Sequence, residues 1–227
     1  MKKDLIIFGT GKIAEVVYYY AKEECNFNVV AFTVDSAYAV GDTFCNLPIV
    51  PFENINQNYP SDKFNMFVAV GYQDLNRLRE KKCNEVLAKG YSLISIISPL
   101  ANVPKNVKTG YNCFIMSPAI IHPCVEIGND VFVWAGAMIG HHSKIANHVW
   151  FTSCANIGGN VTVGSNCFFA MNATVGHSVT LGKECFIGAN ALVTKNMEDK
   201  KVVIAESQKP IKLDSEQFLR LSKFSSI

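Results

Sequence analysis

The stretch VEIGNDVFVWAGAMIGHHSKI (residues 125–145) decides the fold, because its side chains recur every six residues. Carried outward, the same period runs from Val103 to Val193 through Thr109, Ile115, Ile121, Ile127, Val133, Ile139, Ile145, Phe151, Ile157, Val163, Phe169, Val175, Leu181 and Ile187. Fifteen of these sixteen positions are apolar. Four residues after each comes a small or β-branched side chain, such as Cys113, Ala119, Val125, Ala137, Ser143, Ala155 and Cys167. Neither column suits an amphipathic helix, and a set of ordinary buried strands would show period two with irregular turns. One large aliphatic and one small inward residue per hexapeptide specify a parallel β-helix, in which three hexapeptides make one triangular coil. Glycine follows the aliphatic at Gly128, Gly140, Gly158, Gly164, Gly176, Gly182 and Gly188, where a corner needs little bulk and sometimes a positive φ.

Before this coil lie about a hundred residues of different character. Leu5-Ile6-Ile7-Phe8 reads as a strand, Gly9-Thr10-Gly11-Lys12-Ile13-Ala14 as a glycine turn, and Glu15 to Glu24 as a helix. Strand, glycine turn and helix N-terminus in that order form a phosphate cradle, although G-x-G-x-x-A alone is a weak signal. Asn28 to Thr33 reads as a second strand leading to Asp35, which suits either a solvated turn or a hydrogen bond to a ribose or base. Asn65 to Val70 reads as a third parallel strand ending at Gly71, followed by a helix from Gln73 to Lys89 and a strand from Ser92 to Ile97. Ligands collect at the carboxyl ends of such strands, so Gly9, Gly11, Asp35 and Gly71 should face one crevice. The unit is too short for two mononucleotide halves, which argues against NAD and for a single nucleotide or nucleotide-sugar.

The expected architecture is therefore a small α/β Rossmann-like domain over residues 1–98, a β-helix over 99–195 and a short helical tail over 196–227. In the tail, Asp214 and Gln217 read as a helix cap, with Phe218, Leu219 and Leu221 on an apolar face. Of the 227 residues 49% are hydrophobic, enough for a sizeable core. Net charge is +2, from 21 basic and 19 acidic residues without a basic run, so no nucleic-acid partner is expected. The start MKKDLIIFGTG turns to glycine and charge before a signal-length core or membrane span, which predicts a cytoplasmic protein without a membrane partner. The eight cysteines form no C-x-x-C pair and read as reduced, structural thiols. The five histidines, His122, His141, His142, His148 and His177, fall on surface positions of the coil without a carboxylate or cysteine set, so no metal is expected.

The repeats VEIGND, VTVGSN and VTLGKE resemble those of the left-handed β-helix hexapeptide acyltransferases. With IFGTGKIAEVV, FVAVGYQDLNRLR and AGAMIGHHSKI, nearly the whole chain resembles the sugar acetyltransferases related to sialic acid O-acetyltransferases and nucleotide-4-amino-sugar N-acetyltransferases. The resemblance implies a left-handed coil and a homotrimer using acetyl-CoA as cosubstrate in sites between subunits. It also puts the nucleotide of the acceptor sugar at Gly9, Gly11, Asp35 and Gly71. By the same resemblance His141 is the general base of acyl transfer, a role that histidine's pKa suits near neutrality. His142 stands where the amino-sugar enzymes often carry an acid that orients the base.

Gly159, Ala170, Gly188 and Ala189 are small enough to let coenzyme A approach, and an N–H near Gly159 could hold the oxyanion. Trp150 stands where several relatives have a coenzyme-contacting histidine. It is also one of the column Phe132, Trp150, Phe168 and Phe186, whose simpler reading is packing between subunits. Positions eighteen apart stack, so His141, Gly159 and His177 share a column, with His177 two rungs or roughly 10 Å from His141. The family's closing Gly-x-Pro-Ala is replaced by VVIAESQKPIKLDSEQFLRLSKF, which either docks on the coil or a neighbour or narrows the coenzyme entrance.

The function expected is N-acetylation of a nucleotide-linked amino sugar, a 4-amino-4,6-dideoxy sugar, for lipopolysaccharide or capsule synthesis by direct ternary-complex transfer. The alternatives are O-acetylation of a sugar of the sialic acid type, on the same fold and base, and a non-catalytic trimeric scaffold that binds nucleotide-sugars.

Overall fold

The structure, a computed structural model, describes residues 4–222. Its first unit is a sheet centred on strand β1 (Asp4–Phe8), flanked in parallel by β2 (Val29–Val34) and β5 (Phe64–Val68). Strand β4 (Leu47–Pro51) lies parallel outside β2 and carries the antiparallel β3 (Thr43–Phe44), while β6 (Ser92–Leu93) pairs with β5. Helix α1 (Lys12–Tyr19) runs on through a π-helical turn (Tyr20–Glu24), α2 (Ile55–Asn58) is short, and α3 (Arg77–Ala88) connects β5 to β6. The hairpin β3–β4 had no signal in the hydrophobic pattern. Helix α3 starts later than Gln73 because Asp74, Leu75 and Asn76 all have positive φ, a conformation no right-handed helix contains.

The coil is built of two-residue strands paired in parallel at intervals of eighteen residues, as Phe132↔Trp150, Met138↔Asn156 and Lys144↔Thr162 show on its three faces. The first face runs from Ile96–Ile97 to Val202–Val203, the second from Ile120–Ile121 to Leu192–Val193, and the third from Lys108–Thr109 to Thr180–Leu181. Ile115, Ile127, Ile139, Ile157, Val175 and Ile187 fill the interior with the small column Cys113, Ala137, Ala155 and Ala173 between them. Burial of such aliphatics is worth about 1.5–3 kcal/mol each, which a long column sums into the coil's stability.

The corner geometry corrects one sequence expectation. The left-handed residue lies three after each aliphatic and is usually not glycine: Asp130, His142, His148, Asn160, Asn166 and Asn172 all have φ between 57° and 60°. The glycines directly after the aliphatics serve close approach instead. A Cβ on Gly140 would lie 2.5 Å from the backbone of Gly158 in the next coil.

A second correction concerns the aromatic column. Phe132, Trp150 and Phe168 are covered by the chain's own first unit, and their cluster includes Leu5, Ile7, Phe32 and Phe67. Phe67 approaches Phe132 with ring centroids 5.8 Å apart, and Tyr72 lies 4.8 Å from Phe168 and 5.4 Å from Trp150. Across this joint Arg79, fully buried, places its guanidinium 4.4 Å from the Phe132 ring and 5.1 Å from Trp150. Its Nε donates to Asp130 Oδ1 at 2.8 Å and its Nη2 to the Asp130 carbonyl at 3.1 Å. Asn112 also donates to that carboxylate, at 2.7 Å. His148 meets Asp130 Oδ2 at 2.8 Å and is buried here, not on the surface as its place in the coil suggested.

Candidate functional site

Two places in the fold gather the residues singled out by sequence. The first is the crevice at the carboxyl ends of β2, β1 and β5. Strand order reverses at β1, with β2 on one side and β5 on the other, and such a switch point opens a crevice above the sheet. A cavity of about 600 Å³ lies there, and Gly9, Gly11, Asp35 and Gly71 all line it. The two glycines of the turn do different things. Gly9 has φ +125° and its missing Cβ would lie 2.9 Å from the Ala69 carbonyl, so it is required by the backbone. Gly11, which precedes α1, has nothing within 4 Å of an added Cβ and leaves space open at the helix N-terminus. Gly71 stands against its own chain's Gln73, whose Oε1 would be 2.9 Å from a Cβ.

Sequence reasoning missed Lys82, which also lines this cavity. It is only 8% exposed, and its Nζ lies 2.9 Å from Asp35 Oδ1, 2.8 Å from Oδ2 and 2.7 Å from Glu85 Oε2. Burial works to lower the Lys82 pKa, but the hydrogen bonds and charges of Asp35 and Glu85 outweigh it and hold the ammonium above its ordinary value. The available signal was helical spacing, since Leu78, Lys81 and Lys82 share the face of α3 that the cavity needs. Lys12 and Lys81 line the cavity too, so three cations face one aspartate there.

The second place is the corner between the second and third faces of the coil. His141 and His142 share a hydrogen bond between their Nδ1 atoms at 3.1 Å. His142 reaches it from a left-handed backbone, φ 60°. The His141 ring lies over Gly159, where a Cβ would be 2.7 Å from Nε2. His177 is nearer than rung spacing alone indicated: its ring centroid is 6.1 Å from that of His141, because the intervening Gly159 has no side chain to keep the rings apart. Where the shared proton sits on His141 Nδ1, the Nε2 lone pair is free to accept a proton from a reacting group.

The small residues expected along the coenzyme path are not together within one chain. Ala170, Gly188 and Ala189 lie at the corner after the first face, and Gly159 at the corner after the second. Gly188 and Ala189 line a cavity of about 600 Å³ closed on its far side by Ile204–Gln208. Ala170 is half-buried against the aromatic cluster. Trp150 is 1% exposed beneath Tyr72 and Arg79, and so lines neither a coenzyme groove nor a face open to another subunit. Among the described residues no group of three or more His, Cys, Asp or Glu is arranged to hold a metal, and no helix is long and apolar enough to cross a membrane.

Comparison with known proteins bears on the fold. Residues 160–195 match the bacterial transferase hexapeptide family (six repeats). A search of curated protein sequences finds no match. Among solved structures, the chain is similar to a variant of perosamine N-acetyltransferase from Caulobacter crescentus in complex with CoA and GDP-perosamine. The TM-score is 0.82 and the identity 25%, over 94% of this chain and 99% of that one. The acetyltransferase domain of PglB from Neisseria gonorrhoeae FA1090, in complex with acetyl coenzyme A, has the same fold, with a TM-score of 0.81 and 21% identity over 93% of this chain and all (100%) of that one. The coil is thus the left-handed β-helix that its repeats resemble, and the whole fold is that of the hexapeptide sugar acetyltransferases.

Proposed function

We propose that this chain is an acetyl-CoA-dependent N-acetyltransferase acting on a nucleotide-linked amino sugar, a 4-amino-4,6-dideoxy sugar, in the cytoplasmic synthesis of surface glycans. The observation that carries this reading is one chain holding both a switch-point crevice lined by Gly9, Gly11, Asp35 and Gly71 and a histidine corner on a hexapeptide coil. The likeness to a structure in complex with CoA and GDP-perosamine supports it. Residues 1–98 bind the nucleotide and 99–195 carry acyl transfer, and in the tail that follows, Ile204–Gln208 border the Gly188–Ala189 end of the coenzyme path.

In this mechanism the neutral amine attacks the thioester carbonyl to form the N–C bond and His141 Nε2 takes the amine's proton; collapse of the tetrahedral intermediate then breaks the C–S bond and releases coenzyme A as its thiolate, which the imidazolium can protonate. His142 orients the base through the Nδ1–Nδ1 hydrogen bond. An N–H at Gly159 stabilises the oxyanion. No protein nucleophile is needed because the thioester is already activated, so transfer is direct. Gly159 of one subunit and Ala170, Gly188 and Ala189 of the next border the coenzyme in a homotrimer, since these corners are apart within a single chain.

The test is mass spectrometry after incubation with acetyl-CoA and a panel of GDP-, UDP- and dTDP-linked 4-amino sugars, with free sialic acid alongside. Acetylation of a nucleotide-linked amine is expected. Transfer only to free sialic acid would replace this reading with O-acetylation, and binding without turnover would leave a scaffold. His141→Asn should lower kcat by about 10²–10⁴ and leave coenzyme affinity unchanged.

A further inference from the structure

The crevice has a direction, and the contact of Tyr72 with the coil supplies it. A diphosphate over the glycine turn meets the N-terminus of α1, which no side chain caps and where the helix dipole is positive. From there the ligand can extend two ways along the strand ends. Toward β2, about 4.8 Å away, stands Asp35. Toward β5 stand Gly71 and Tyr72, and Tyr72 already touches the coil at Trp150 and Phe168. The sugar must travel toward the coil to be acetylated, so the nucleoside is left on the β2 side. The group bonded directly to the diphosphate on that side is the ribose, with the base beyond it near the exposed Tyr38, which also lines the cavity.

We propose that Lys82 fixes the Asp35 carboxylate as the acceptor for the ribose 2′-hydroxyl, so that the chain takes sugars linked to ribonucleotides and rejects those linked to 2′-deoxyribonucleotides. This rests on the nucleotide reading of the crevice. An unpaired carboxylate on a loop would turn freely and would repel a diphosphate one strand away. Here one ammonium, itself nine-tenths buried, binds both carboxylate oxygens and is held in turn by Glu85. A carboxylate has about four lone-pair directions, and Lys82 leaves some of them open to the cavity. The pairing keeps the carboxylate ionised, aimed and locally neutralised, which suits a hydroxyl donor beside a phosphate. A 2′-deoxyribose offers no such donor and would leave the fixed acceptor without a partner.

Calorimetric titration of the wild-type protein with GDP, 2′-deoxy-GDP, UDP and 2′-deoxy-UDP tests this. For whichever base binds, the ribose form should bind about tenfold or more tightly than its deoxy partner. In Lys82→Met that ratio should collapse toward one, while coenzyme A affinity, set on the coil, stays at the wild-type value. Equal affinity of the ribose and deoxy forms for the wild-type protein would overturn the proposal and leave the nucleotide reading standing, and this arm needs no variant to fold. A ratio unchanged in Lys82→Met would remove Lys82 from the discrimination. Binding of none of the four would overturn both readings together.

Discussion

A methyl group at Gly159 would sit 2.7 Å from His141 Nε2, closer than any unstrained contact. Gly159→Ala is therefore expected to push the imidazole off its resting place and lower kcat by at least tenfold, a loss comparable with misplacing a base by about an ångström. Coenzyme affinity measured by calorimetry tells this apart from blockage of the groove, which would raise the dissociation constant as well. Gly11→Val probes the other site. Its Cβ would have no protein atom within 4 Å and its methyls would fill the space before α1, so the acceptor KM should rise several-fold with little change in stability or in coenzyme binding. At this scale the placement of Gly11 in the crevice and of His141 at a corner of the coil was legible, because the glycine turn and the six-residue period are local patterns. Lys82 was not, because a lysine on a helix usually faces water and only the packed structure shows this one turned inward onto Asp35.

Helix α3 is the element that joins the two halves. One side of it lines the crevice through Leu78, Lys81 and Lys82, and another enters the joint through Arg79. Arg79→Met should cost about 3–5 kcal/mol in urea unfolding, because it strands the fully buried Asp130 carboxylate without its cation. Trp150→Ala should cost about 3–5 kcal/mol by cavity formation while leaving the oligomer intact, as expected of a side chain packed within one chain. If Trp150→Ala instead dissociated the assembly with unchanged monomer stability, the column would belong to a subunit contact. The coil strands also predict thiol reactivity. Burial pushes the Cys113 thiol up to about 11 and Cys167 up to about 12, so both stay protonated and enclosed at pH 8. Cys124 and Cys154 stand exposed at corners and should be the first labelled by a thiol reagent, read by peptide mass mapping.

On the scale of the whole molecule, covering the first face leaves two faces for other subunits. The third face presents Lys108, Glu126, Lys144, Thr162 and Thr180, a polar set. The second presents Ile120, Met138 and Leu192 with Asn156 and Thr174 between them, a more apolar column, with Leu192 62% exposed and Met171 exposed at the adjoining corner. The trimer should therefore close on the second face. Sedimentation velocity at micromolar concentration should give a trimer, and Leu192→Asp should shift it toward monomer with loss of turnover. A monomeric wild-type protein would remove the intersubunit coenzyme site. The sequence by itself determined the coil, its period, its inward columns and the glycine turn of the first unit, because each is a local pattern in which spacing alone fixes which side chains meet. Only the tertiary structure decided that the first unit lies on the aromatic face, that Asp130 and His148 are buried against Arg79 and Glu80, and that Lys82 holds Asp35. Those contacts join residues some fifty to seventy positions apart on separate elements, and a hydrophobic period records which face of an element is buried but not what buries it.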